Sequence, residues 1–314
     1  MPTWDKILKE LDVFQPLAIF DRYLVRLANY TKRTVICYFS AFTIVKPYPV
    51  PPPLLSIIDQ DIQGFMTCSK DVSKDGLDLI LHTPGGDYEA TKRIINYLHE
   101  TYAHIRTFVP HMAMSGGTLL ACASDEIYIG PYSSLGPTDP QVFIGGRYVP
   151  AGAVVKEFRK AFEKVSDEPD QRKAIKKAIL WNERLKQVPT GLIEALETMK
   201  ENSNEYLKEL LKSRNCRDKN DDQIEEIVKV LNSHEKHSSH SKGICLKEAQ
   251  QLGLNVKDLR KEKELEERVL SVYHAAIILF EKTPALKIIA NHKKRRYIVN
   301  YQPSLPASPQ KPSA

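Results

Sequence analysis

The chain has 314 residues, 42% hydrophobic and 27% charged, values that exclude collagen, coiled-coil fibres and wholesale disorder. Its net charge is +6, but Lys293, Lys294, Arg295, Arg296 and Lys311 stand in an acid-free terminal stretch and account for all but one of that excess. The body before them is nearly neutral, so the charge gives no ground for a nucleic-acid-binding face.

Residues 4–30 carry apolar side chains at spacings of three and four (Ile7, Leu8, Leu11, then Leu24, Leu27), which predicts short amphipathic helices broken near Pro16. Residues 34–45, rich in Val, Ile, Tyr, Phe and Thr, read as a strand. The proline run 47–53 is a connector, because proline suits neither a helix interior nor a central strand. A helix fits 57–67, with Asp59 and Asp61 near its start.

The most regular part follows. Residues 77–82 form a short apolar run suited to a buried strand, and Thr83-Pro84-Gly85-Gly86 is a turn. Asp87 is placed to cap a helix bearing Ala90, Ile94, Ile95 and Leu98 on one face. A second strand is predicted at 105–109. Ser115-Gly116-Gly117 opens a small-residue helix at 118–124, and a third strand covers 126–129. Strand and helix alternating in this way imply right-handed crossovers and a parallel sheet.

From Pro150 the pattern is helical, with candidates at 151–165, 170–187, 191–214, 224–231, 246–252 and 265–282. Gly253 suits the position after a helix end. Residues 288–299 read as a final pair of strands, and the Pro/Ser-rich end after Asn300 as disordered.

The five cysteines are odd in number and widely spaced, without a C-x-x-C pair. That pattern predicts reduced thiols in a cytoplasmic protein, with no disulfide frame or zinc ribbon. The N-terminus has acids and no apolar core, unlike a secretory signal. The best apolar stretch, 35–45, is about half of the roughly 20 residues a membrane helix needs, so no membrane span is expected.

Two glycine turns at strand-to-helix junctions are the chemical candidates: His82-Thr83-Pro84-Gly85-Gly86-Asp87 and His111-Met112-Ala113-Met114-Ser115-Gly116-Gly117-Thr118. Paired glycines let backbone N–H groups approach a ligand closely. Turns on neighbouring parallel strands would place two sets of donors side by side at the carboxyl end of the sheet. A serine at a helix mouth can be an exposed nucleophile, or only an N-cap. Neither turn has phosphate-loop or dinucleotide spacing. Ala113 stands where a G-x-S-x-G elbow needs glycine.

The joint occurrence of Leu-Ile-Leu-His-Thr-Pro-Gly-Gly-Asp (79–87), Ala-Met-Ser-Gly-Gly-Thr (113–118) and Gly-Pro-Tyr-Ser-Ser-Leu-Gly-Pro-Thr-Asp-Pro-Gln (130–141) resembles the serine dehydrogenase proteinase family. That family belongs to the Clp-protease/crotonase superfamily, alongside the SppA-type peptidases. The resemblance runs from about residue 57 to 299. Its later marks include Ser239-His240-Ser241-Lys242, Ala249-Gln250-Gln251-Leu252-Gly253-Leu254 and Lys287-Ile288-Ile289.

The resemblance implies an α/β fold of the Clp-protease/crotonase type with C-terminal helical additions. The division expected is an N-terminal helix/strand extension and Pro-rich connector at 1–50, a peptidase domain with helical insertions at 51–300, and a disordered tail at 301–314. Ser115 would be the nucleophile, and the amides of Gly86 and Gly116 the oxyanion hole. In the family's Ser-Asp-His order, His240 would be the base and Asp139 its orienting acid. The SppA-type relatives use a Ser-Lys dyad instead, which makes Lys156 the alternative base; as a lone helix residue it reads as a solvated face, with Lys160 and Lys164 following. The implied reaction is ATP-independent peptide hydrolysis by acyl transfer, with a polypeptide substrate, homo-oligomeric assembly, no cofactor and no metal.

Three other readings stay open. A scaffold could keep the fold without a working base. A crotonase-like acyl-CoA enzyme would use paired amides for an enolate. His234, His237 and His240 form H-x-x-H-x-x-H, which could bind zinc but lacks the H-E-x-x-H spacing. His82 and His111 either point into the site or cap their strands.

Overall fold

A computed structural model describes residues 2–144, 146–186, 188–232 and 243–303. Alternation along the first strand, β1 (Thr34–Ser40), organises the whole chain. Ile36 and Tyr38 enter one apolar layer, while Val35, Cys37 and Phe39 enter another. All seven residues are buried, as expected of a strand covered on both faces.

The strands that follow are β2 (Leu77–His82), β3 (Ile105–Val109), β4 (Met112–Ala113), β5 (Glu126–Ile129), β6 (Ser134–Leu135), β7 (Gln141–Ile144), β8 (Arg147–Pro150), β9 (Val256–Asp258), β10 (Ala285–Asn291) and β11 (Arg296–Asn300). Seven of them form one sheet in the order β11-β10-β1-β2-β3-β5-β9. The five strands from β1 to β9 in that order run parallel. β10 and β11 are antiparallel additions at one edge.

The helices are α1 (Pro2–Glu10), α2 (Pro16–Thr31), α3 (Asp61–Cys68), α4 (Tyr88–Thr101), α5 (Gly116–Cys122), α6 (Ala151–Ser166), α7 (Gln171–Leu185), α8 (Leu192–Leu210), α9 (Asp221–Leu231), α10 (Leu246–Gln251) and α11 (Lys263–Lys282). The face carrying Tyr38 and Leu79 is covered by α3, α4, α5, α8, α9 and α10. The face carrying Phe39 and Ile80 is covered by α1, α2 and α11. A smaller cluster of Ala151, Val155 and Leu196 joins α6 to α8.

The strands at 77–82, 105–109 and 126–129 have the boundaries that the sequence predicts. Pro16 opens α2, where its missing N–H costs nothing. The strand expected over 34–45 stops at Ser40, because the chain turns at Ala41–Ile44. The expected division at residue 50 does not divide the sheet: β1 lies between β10 and β2, while α1 and α2 pack on the face of that sheet. The helix expected over 191–214 ends at Leu210 and continues as one wider turn, Leu211–Asn215. β4, β6, β7, β8 and β9 were not anticipated; each is two to four residues long, too short for a periodic signal. Of the tail expected at 301–314, Tyr301 is held to the sheet edge, its amide donating to Pro284 O at 3.1 Å and its carbonyl accepting from the Tyr48 hydroxyl at 2.8 Å; residues 304–314 lie outside the described residues.

All five cysteines are free. No helix among the described residues is long and apolar enough to cross a membrane.

Candidate active site

The site forms where β2 and β3 leave the sheet. Thr83 accepts from Met114 N and donates its own amide to Met112 O, both at 3.0 Å. The two turns are therefore stitched together as neighbouring strands. β4 then pairs in parallel with β6, extending a second small sheet away from the first. A bridge from Leu135 to Ile244 completes that layer.

The first turn is held from outside by Ile57. Its amide donates to Gly85 O at 2.7 Å, and its carbonyl accepts from Asp87 N at 2.9 Å. This is the parallel bridge Ile57–Gly86, in which the N–H of Gly86 itself points away from Ile57. A β-carbon on Gly86 would stand 2.3 Å from both the N and O of Ile57, so only glycine fits. Asp87 then caps α4, accepting from Ala90 N at 2.7 Å, as its position in the sequence predicts.

The second turn carries Ser115 with φ +50° and ψ −115°. Few non-glycine residues adopt a positive φ, and such strain costs about 1–3 kcal/mol. The turn lifts the serine off the end of the small-sheet strand and onto the start of α5, whose seven residues are all buried. Ser115 itself is half-buried, and among the described residues its Oγ makes no hydrogen bond. Gly116 begins α5, so its amide has no acceptor within the helix. Thr118 anchors the turn, its Oγ1 lying 2.8 Å from the carbonyl oxygens of both Ala113 and Gly136.

The family described as ClpP-like SDH-type serine proteinase matches residues 57–294, from Ile57 through both glycine turns to the end of β10 and beyond. This chain belongs to that family.

The SDH-type proteinase assignment gives the chain a Clp-protease-like α/β fold. It is 30% identical to the uncharacterised protein MJ0137 of Methanocaldococcus jannaschii over 236 residues, 75% of this chain and 72% of that protein. It is 45% identical to MJ1495 of the same organism, also uncharacterised, over 92 residues that span 29% of this chain and only 30% of that protein. Among solved structures, the 1510-N membrane-bound stomatin-specific protease overlaps 67% of this chain and 79% of its own. Its identity is 15% and its TM-score 0.38.

Within this SDH-type fold the structure brings Ser115, Gly86 and Gly116 together. A β-carbon on Gly85 would lie 2.8 Å from Gly116 N, and Ile57 Cδ1 comes within 3.4 Å of where a Gly116 β-carbon would stand. The expected acid and bases are not brought to Ser115 by any hydrogen bond among the described residues. Asp139 is buried just beyond β6, in a segment fixed by Thr138 N donating to Leu231 O at 2.9 Å. Lys156 sits on the exposed side of α6. His240 lies outside the described residues, as do His234 and His237, and with them the zinc reading. The described residues contain no cluster that could hold a metal ion.

His82 and His111 do not enter the turns. Strand alternation sends His82 to the α11 side, where its ring stacks on His111 at 5.3 Å and meets Tyr273 edge-on at 5.1 Å. His111 Nδ1 lies 2.9 Å from the Tyr273 hydroxyl, and His82 Nε2 lies 3.2 Å from Thr43 Oγ1. Burial, and then the neighbouring His111, lower the His82 pKa to about 3; burial alone lowers that of His111. Both rings are therefore neutral at physiological pH.

Sequence reasoning missed the roles of Ile57, Thr83 and Thr118. The threonines stand inside the two recognised motifs, so a closer reading of each motif could have flagged them. Ile57 carries no such signal, since its contribution is made by its backbone.

Proposed function

We propose that the protein is a serine peptidase working by acyl transfer, independently of ATP. Ser115 Oγ attacks a peptide carbonyl, and the amides of Gly86 and Gly116 hold the resulting oxyanion. A base takes the serine proton and passes it to the leaving amine; water then attacks the acyl-enzyme ester, freeing the carboxylic acid product and returning the proton to Ser115 Oγ. The observation that carries the reading is the strained Ser115 conformation next to two glycine amides without protein acceptors among the described residues. A strained strand-to-helix turn is how hydrolases of an unrelated fold expose a nucleophilic serine. Family membership supports the same chemistry.

His240 oriented by Asp139 is the proposed base, with Lys156 as the alternative. A lysine works as a base only where it is desolvated, so the Lys156 scheme requires this side of α6 to be covered. Assembly as a homo-oligomer in the cytoplasm belongs to the same proposal.

The test is labelling by a fluorophosphonate probe, followed by turnover of a casein substrate. Labelling of wild type, absent in Ser115→Ala, supports the nucleophile. Equal labelling of the two overturns it. Loss of turnover in His240→Ala but not in Lys156→Ala selects the histidine, and the reverse selects the lysine.

A further inference from the structure

Three side chains without an assigned role meet on the α3 side of the sheet. Lys287 on β10 and Asp61 at the start of α3 are both fully buried, with their charged groups 2.8 Å apart. The Tyr38 hydroxyl on β1 donates to the same carboxylate at 2.8 Å. Burying two ions carries a desolvation cost that well-packed apolar side chains would avoid. A buried pair in the middle of an apolar layer therefore calls for an account of what it holds.

It holds backbone. Lys287 Nζ donates to Ser56 O at 2.7 Å, and the Asp61 carboxylate accepts from Ile58 N at 3.1 Å. These two bonds flank Ile57, whose own amide and carbonyl grip Gly85 and Asp87. The path from ion pair to glycine turn is thus one residue long on each side. Both Gly85 and Gly86 have positive φ, at 88° and 158°, and neither has a side chain to pack. The turn has little of its own to fix the direction of the Gly86 amide.

We infer that Lys287 and Asp61, with Tyr38, are positioning residues that set the direction of the Gly86 amide by clamping segment 56–58. The inference rests on Ser115, Gly86 and Gly116 acting as proposed. An oxyanion donor works only at about 2.7–3.1 Å from the developing charge, and losing one donor costs about 10²–10³ in kcat. Loosening the clamp costs part of that factor.

The test combines Lys287→Met and Asp61→Asn in one full-length chain, which leaves no unpaired buried charge. The probes are p-nitrophenyl butyrate for turnover and a fluorophosphonate for the rate of labelling. The expected result is a fall in kcat of about tenfold or more with KM within about twofold, a parallel fall in labelling rate, and a cooperative melt. A folded double variant with kcat within about twofold of wild type overturns the inference. If the double variant does not fold, Tyr38→Phe decides. It releases one side of the Asp61 carboxylate without removing a charge, and a fall in kcat of about threefold or more supports the clamp, whereas an unchanged kcat overturns it. Failure of the underlying reading looks different. Wild type that takes no label, or the same label as Ser115→Ala, overturns the nucleophile assignment and the positioning role with it.

Discussion

The backbone of Gly85 stands so close behind Ser115 that a β-carbon at position 85 would lie 2.7 Å from the Cβ of the serine. It would also lie 2.5 Å from Met114 O, a backbone atom that cannot swing aside. With φ at +88°, position 85 excludes a side chain twice over, by contact and by conformation. Gly85→Ala is expected to destabilise the fold by about 2 kcal/mol or more and to displace Ser115. Urea denaturation measures the first effect and fluorophosphonate labelling the second. A variant of wild-type stability and labelling would show that the two turns do not abut.

Ser115 makes the opposite prediction for stability. Its positive φ costs about 1–3 kcal/mol, which glycine would not pay. Glycine in turn loses more chain entropy on folding, about 0.5–1 kcal/mol. Ser115→Gly is expected to raise stability by about 1 kcal/mol while abolishing labelling. A lower urea midpoint in this variant would argue that the serine is unstrained.

Asp78 on β2 is completely buried between Arg33, at 2.7 Å, and Arg106, at 2.8 Å. Removing the carboxylate leaves two partly buried guanidinium groups facing each other. Asp78→Ala is expected to cost about 3–5 kcal/mol, measured by chemical denaturation. A loss below about 1 kcal/mol would place this triad with weak surface pairs.

His82 makes the fold acid-sensitive. Burial lowers its folded pKa to about 3, below the unfolded value of 6.5. Between those values the unfolded chain holds the extra proton. The stability His82 allows is complete above pH 6.5 and is lost as pH falls toward 3. From pH 7 to pH 5 the loss for this one group is about 2 kcal/mol. His82→Gln is expected to lose about 2 kcal/mol less than wild type over that interval, read from urea midpoints. Identical pH dependence of the two proteins would rule out a buried neutral imidazole at this position.

Much of the frame was legible from local pattern. β2, β3 and β5 were readable because each is a short apolar run bounded by turn residues. Asp87 was readable as a cap because capping needs only a side chain and an amide three residues on. The two glycine turns and Ser115 were readable as motifs, since their chemistry lies within a few consecutive residues.

What the sequence by itself determined is therefore whatever acts over one or two turns of chain: strand and helix periods, caps, glycine turns and the family they mark. Tertiary structure decided the rest. β1 sits mid-sheet because β10 closes against it antiparallel from the far end of the chain, a pairing no local window contains. Ser115 takes a positive φ because Gly85, Thr83 and Thr118 hold the backbone on either side of it. Lys287 reads as one more basic residue near a charged terminus until β10 folds against α3. Its ammonium group then meets Asp61 and the carbonyl of Ser56 in a space without water-facing surface, where a charge persists only with such partners.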